Sequence, residues 1–174
     1  MTPEWPDTGD LEALGHAVFD HAAVAAPRIR DLLPLYAGIL GGELINGGDN
    51  ARVGYRALQL GFPDGSRIEL MEPLRGSPFF DRFFARGGGL HHVTFKVDDI
   101  TAAIARLEAE NVPLTGVYLE DPEWLEAFIH PRDGHGVLVQ IAEAPPGFPS
   151  MPEGMTIEDV LAGRGDNGTQ IESP

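Results

Sequence analysis

Two histidines and two oxygen-bearing side chains repeat one interval in this chain. His21 opens the apolar run 21–26, and Glu69, in the strand-like run 68–72, follows it by 48 residues. His92 opens the alternating run 92–97, and Gln140, in the run 136–142, again follows by 48 residues. An offset of 71 residues lays His21 on His92, Ile29 on Ile100, Leu33 on Ile104 and Glu69 on Gln140. Such a repeat points to a duplicated fold in which the two copies share one metal site at their centre.

The elements between these anchors support the duplication. In the first half, residues 17–26 form a small-residue strand. Pro27 suits the first turn of a helix, where its missing N–H costs nothing. Ile29, Leu32, Leu33, Tyr36, Ile39 and Leu40 then follow helical spacing as far as Gly41 and Gly42. A short strand at 43–46, a polar turn at 46–50, a strand at 53–60, a hairpin turn around Pro63-Asp64-Gly65 and a returning strand at 67–72 complete the unit. The second half repeats the order. It has the strand 92–97, a helix 100–110 capped by Asp98 or Asp99, and strands at 115–119, 127–130 and 137–142. The expected fold is α+β, two tandem βαβββ modules forming a curved mixed sheet around a metal cleft. The halves are 17–74 and 90–143, joined by a Phe-rich linker helix at 75–89. Residues 1–16 read as a lead-in and 144–174, with four prolines over 144–152, as a flexible extension, either a mobile tail or a strap over a neighbour. Within the extension Thr156 could cap one helical turn over 156–161.

Strand parity decides which side chains can meet, because successive residues of a strand point to opposite faces. Val93, Phe95 and Val97 share a face suited to burial under a helix, which puts His92, Thr94 and Lys96 on the other. Glu69 opposes Ile68 and Leu70, and Gln140 opposes Val139 and Ile141. His92, Glu69 and Gln140 therefore fall on the cleft face; His21 leads a strand of Ala and Val where the contrast is weaker. Two imidazoles, a carboxylate and an amide oxygen suit one divalent ion such as zinc, cobalt, nickel, iron or manganese. Of the other histidines, His91 has the opposite parity to His92 and reads as supporting it or as structural, and His130 could line the cleft. Glu72 and Glu143, three residues past Glu69 and Gln140, read as surface.

Composition narrows the partners. A formal net charge of −15 would repel nucleic acid and anionic membrane surfaces. With no cysteine, thiolate chemistry and disulfides are excluded. No apolar run approaches the ~20 residues of a membrane span, and the N-terminus lacks a basic and apolar signal region. A cytoplasmic protein acting on a small molecule is expected.

At these residues the chain resembles the vicinal oxygen chelate superfamily of glyoxalases, extradiol dioxygenases, fosfomycin-resistance proteins and epimerases, and within it most of all the methylmalonyl-CoA epimerases. HAAVAAP, RIELMEPLRGSPFFDRFF, GGGLHHVTFKVDDITAAIARL and HPRDGHGVLVQI carry the resemblance, which covers roughly residues 17–143. It implies metal ligands at His21, Glu69, His92 and Gln140, and a homodimer. The chain departs from the epimerase pattern in three places. Gln140 stands where a carboxylate is expected, and an amide cannot act as a base. Asp49-Asn50 stands where a Glu precedes the third strand. EDPEWLEAF replaces a loop containing Gly and His. The expected activity is a metal-dependent isomerase or lyase working through an enolate, with Glu69 as ligand, base or both and Asp49 as reserve base. A non-catalytic binding protein on the same fold and a metal-dependent oxygenase stay open.

Overall fold

The computed structural model describes residues 16–148 and 151–165. Its strands are β1 (Val18–Ala25), β2 (Glu43–Asn50), β3 (Tyr55–Gly61), β4 (Arg67–Pro73), β5 (Gly89–Lys96), β6 (Leu114–Tyr118), β7 (Leu125–Ile129) and β8 (Leu138–Glu143). They form one mixed sheet in the order β2-β3-β4-β1-β5-β8-β7-β6. Each half builds the same four-stranded unit, with its first strand parallel to its last: β1 to β4, and β5 to β8. The units join edge to edge through the antiparallel pair β1–β5. The α+β reading with two βαβββ modules is what the chain adopts. Nearly all of the lead-in expected over 1–16 falls outside the described residues, as do 149–150 and 166–174. No helix among the described residues is long and apolar enough to cross a membrane.

The 71-residue offset extends to a helix-capping bond. The Ile29 N–H donates to Glu72 Oε2 at 2.7 Å, and the Ile100 N–H donates to Glu143 Oε2 at 2.8 Å. Each last-strand glutamate thus satisfies a donor at the start of its own module's helical segment, where a negative charge is favoured. Glu72 and Glu143 are therefore helix-capping groups, not surface residues.

The two helical segments differ. In the second half α2 (Ile100–Ala109) is regular, with Asp99 Oδ1 accepting from the Ala102 N–H at its start. It buries Ile100, Ala103 and Leu107 against Ala127 and Ile141. In the first half the expected single helix is broken into a 3-10 turn at Ile29–Asp31 and a π-wound segment at Pro34–Ile39. Pro34 lacks an N–H and its ring clashes with the carbonyl four residues back, so the α ladder cannot run through it. Ile29 is nonetheless fully buried against Leu58, Leu60 and Leu70.

Two other expectations change. The polar stretch 46–50 is not a turn but the continuation of β2, paired with β3 from Glu43↔Gly61 to Asn50↔Tyr55. The reason lies in the extension. Helix α3 (Ile157–Leu161), started by a Thr156/Asp159 capping box, packs on this strand and buries Val160 completely. A Cβ on Gly47 would come within 2.8 Å of Val160 Cγ1, so only glycine admits the helix there. Of the two readings of the extension, residues 151–165 follow the strap, packed on their own first module. The linker helix is also shorter than expected, α1 covering only Asp81–Phe84. Of its aromatic group Phe80 is buried and Phe79 is partly exposed.

Candidate metal centre and active site

The four middle strands of the sheet, β4-β1-β5-β8, each carry one of the four residues singled out by spacing. Register sets them in two adjacent rows. In one, Gln140 pairs with Thr94 and Thr94 with His21. In the next, His92 pairs with Ala23 and Ala23 with Glu69. Ala23 is fully buried and its side chain is a single methyl. The small-residue composition of β1 therefore leaves room for His92 and Glu69 to lean toward each other above it. One ligand atom each from His21, Glu69 and His92 lies within 4.8 Å of the others. Glu69 Oε2 is 3.9 Å from His21 Nε2 and 3.7 Å from His92 Nε2.

Neighbouring groups aim these imidazoles. His21 Nδ1 lies 2.7 Å from Asp20 Oδ2, and this bond to the carboxylate turns Nε2 toward the cleft. Burial pushes the Asp20 carboxyl up, but the bond with His21 and the charges of Lys96 and Arg67 outweigh it and hold Asp20 below the usual range. His92 Nδ1 lies 2.9 Å from His91 Nδ1. Burial drives the His91 pKa down to about 4 and that of His92 well below its ordinary value, so both rings are neutral at pH 7. His91 thus supports His92 and packs against Phe79, Phe80 and Phe83. Burial raises the Glu69 carboxyl above its usual range, more than His21 and the Gln59 amide lower it.

This donor set fits a divalent cation: two buried imidazoles and a partly buried carboxyl converge, and no lysine or arginine pairs with Glu69 among the described residues. Gln140 stands beside the cluster. The Thr94 hydroxyl donates to Gln140 Oε1 at 2.5 Å and is 3.1 Å from His21 Nε2. Gln140 Nε2 in turn donates to Glu126 Oε2 at 2.6 Å.

Asp49 takes no part in this constellation. Arg56 Nε and Nη2 donate to its two oxygens at 2.6 and 2.8 Å, and Arg56 Nη1 also donates to the Leu161 carbonyl. By strand alternation Asp49 and Gly47 point to the α3 side of β2, while Asn46 and Asn50 line the cleft. The reserve-base reading of Asp49 is therefore overturned, because its carboxylate is an ion-pair partner on the opposite face. His130 is likewise away from the cleft: it is exposed and accepts the Arg132 N–H.

The carboxylate that spacing missed is Glu126. Strand β7 begins at Leu125, two residues earlier than expected, which brings Glu126 onto the cleft face with Phe128, the direct partner of Gln140. Glu126 is 9% exposed; its Oε2 accepts from Gln140 and from Trp124 Nε1, the latter at 2.9 Å. Burial raises its carboxyl above the ordinary range, against those bonds and the charge of Arg52. The alternation of Trp124, Glu126 and Phe128 with Leu125, Ala127 and Ile129 was the available signal, masked by the acids before it. The cleft has a volume of about 600 Å³, and Tyr55, Arg52, Tyr118, Trp124 and Phe148 complete its wall.

The family model described as the Glyoxalase/Bleomycin resistance protein/Dioxygenase superfamily matches residues 20–128. An ethylmalonyl-CoA/methylmalonyl-CoA epimerase of Cereibacter sphaeroides is 31% identical over 133 residues, covering 71% of this chain and 96% of that protein. The mitochondrial methylmalonyl-CoA epimerase of Dictyostelium discoideum is 28% identical over 138 residues, covering 75% and 80% respectively. Among solved structures, methylmalonyl-CoA epimerase from Mycobacterium tuberculosis has a TM-score of 0.65 at 29% identity, covering 74% of this chain and 88% of that one.

Proposed function

The chain belongs to the glyoxalase/bleomycin resistance protein/dioxygenase superfamily, and from that premise we propose that it is a divalent-metal-dependent epimerase, inverting the carbon next to the carbonyl of a small acyl thioester. The observation that carries this reading is a pair of carboxyls, partly buried Glu69 from the first module and buried Glu126 from the second, around two buried imidazoles. Epimerisation removes a proton from one face of a carbon and returns one to the other. That chemistry calls for groups approaching from both sides, with pKa values lifted toward the working pH. Both carboxyls are shifted in that direction by burial.

His21, His92 and Glu69, with Gln140 Oε1 beside them, would hold the ion. A bound divalent ion would act as a Lewis acid at the carbonyl oxygen, where charge develops as the neighbouring C–H bond ionises. The chain's own groups do the rest. Asp20 and His91 keep the two imidazoles aimed. Glu126 has Oε2 occupied by two donors, which leaves Oε1 to take or return the proton. Gln140 is not basic and serves to fix Glu126. Phe79, Phe128 and Trp124 line the cleft and limit water around the developing charge. Short 2-alkylmalonyl thioesters, the substrate class named for the relatives, are the compounds to try first.

The test is deuterium exchange at C2 of a 2-methylmalonyl thioester in D2O by protein loaded with cobalt or zinc. Exchange should occur and be lost in both Glu69→Gln and Glu126→Gln. Failure to load any divalent ion, or exchange that survives both substitutions, refutes the proposal. Binding of the thioester without exchange in the wild type would favour the binding-protein reading instead.

A further inference from the structure

We propose that Arg52 is the specificity-determining residue of this cleft, selecting acyl groups that carry a free carboxylate by pairing with it; the inference rests on the epimerase reading above. The cleft is lined by five acids, Asp20, Glu69, Glu120, Asp121 and Glu126, and among the described residues Arg52 is its one lysine or arginine. With a net charge of −15, the chain repels an anionic ligand unless a local cation offsets the field.

Arg52 sits on a pinned turn, with its guanidinium accessible from the cleft. It lies in the turn between β2 and β3, which is pinned at three points. Asn50 Oδ1 accepts the Val53 N–H at 3.0 Å, the Gly54 N–H donates to the Asn50 carbonyl at 2.7 Å, and the Leu74 N–H donates to the Gly54 carbonyl at 2.9 Å. Gly54 has φ +98° and a Cβ there would collide with Ser77, so the turn is seated on the linker and depends on glycine. From this base the side chain crosses from the first module to the second. Its guanidinium carbon lies 4.8 Å over the Tyr118 ring, and Nη2 is 3.9 Å from Glu126 Oε1.

Stacking engages the face of a guanidinium and leaves its N–H edge free. The nearest acid is beyond hydrogen-bond distance, and Arg52 makes no hydrogen bond among the described residues. By contrast Arg56, on the outer face, is saturated by Asp49, Glu72 and the Leu161 carbonyl. A planar fork that is oriented, accessible and unbonded at the wall of a reaction cleft is suited to a carboxylate, which can take two parallel N–H donors. Arg52 also neighbours Glu126, so an acyl group anchored on it is placed beside a proton-transfer carboxyl.

The probes are methylmalonate and its monoamide, titrated calorimetrically into cobalt-loaded protein, so that binding is read without turnover. Wild type should bind methylmalonate at least tenfold more tightly than the monoamide. Arg52→Gln should remove at least tenfold of the methylmalonate affinity and leave the monoamide within twofold. Arg52→Lys, which keeps charge but not the fork, should fall between. Thermal melts within about 2 °C of wild type for both variants would establish that they fold. If Arg52→Gln leaves methylmalonate affinity within twofold, or weakens both probes equally, the proposal is overturned. The C2 exchange assay separates this from failure of the epimerase reading. Arg52-dependent binding without exchange in the wild type refutes that reading while the carboxylate site stands; exchange that is indifferent to Arg52→Gln does the reverse.

Discussion

Replacing Gln140 with glutamate tests how the cleft distributes its charge. Gln140 Nε2 donates to Glu126 Oε2 at 2.6 Å. In Gln140→Glu that donor becomes a second carboxylate oxygen. Two unit charges at that distance repel by roughly 6 kcal/mol at an effective dielectric constant of about 20. Taking up a proton is cheaper: at pH 7 it costs about 4 kcal/mol for a carboxyl of ordinary pKa, at about 1.4 kcal/mol per pH unit. The variant pair therefore shares a proton. The folded pKa of the pair lies above the unfolded value, so the stability it retains is present at low pH and lost as pH rises. Expected destabilisation in EDTA is about 1 kcal/mol at pH 5, rising toward about 4 kcal/mol at pH 7. These are ceilings, because burial already raises the Glu126 carboxyl in the wild type. Urea unfolding of wild type and variant at pH 5, 6, 7 and 8 measures the slope. The reciprocal double variant Glu126→Gln/Gln140→Glu restores one donor facing one acceptor and should flatten it. A penalty independent of pH, or one unchanged in the double variant, would refute the coupling of these two side chains.

Two further outcomes follow from the same geometry. Asp20→Asn removes the carboxylate bonded to His21 Nδ1 and should weaken cobalt binding about 10- to 100-fold, read from the visible spectrum of the loaded protein; unchanged affinity would mean His21 does not hold the ion. Val160→Ala deletes two fully buried methyl groups over Gly47 and should cost about 1–2.5 kcal/mol in urea unfolding, whereas an unpacked extension would register no loss.

Local chemistry explains which parts of this molecule were legible in the sequence. His21, Glu69, His92 and Gln140 were found because an interval and strand parity are enough to put residues on one face of adjoining strands. The module order was legible for the same reason: its periodicities are local. Three things were not. The role of Asp49 depended on Arg56, seven residues away across a hairpin whose register the Asn and Gly residues disguised. The seat of the strap depended on one long-range fit, Val160 into the space left by Gly47, so a strap could be expected but not where it packs. Glu126 depended on where β7 starts, and Asp121 and Glu123 made its first residues look like loop.

Taken together, the misread residues alter the meaning of the interval that was read correctly. The offset that matches Glu69 with Gln140 had suggested a single carboxylate in the first module and a bare amide in the second. Each module in fact sets one carboxyl against one amide on adjacent antiparallel strands beside the histidines. In the first the carboxyl is on β4, facing the Gln59 amide across the β3–β4 ladder. In the second the carboxyl has moved to β7 and the amide is on β8, joined by the bond from Gln140 to Glu126. The duplication thus keeps the charge of each half and exchanges the strand that bears it. That exchange follows from crowding: a carboxylate on β8 would stand 2.6 Å from Glu126, so Glu126 on β7 calls for an amide at position 140. Glu69 faces an amide on β3, whose bond opposes the rise that burial imposes on its carboxyl. Gln140 on β8 thus comes with a carboxyl, Glu126, on the neighbouring strand, so an amide at position 140 does not leave the second module without a carboxyl at the cleft.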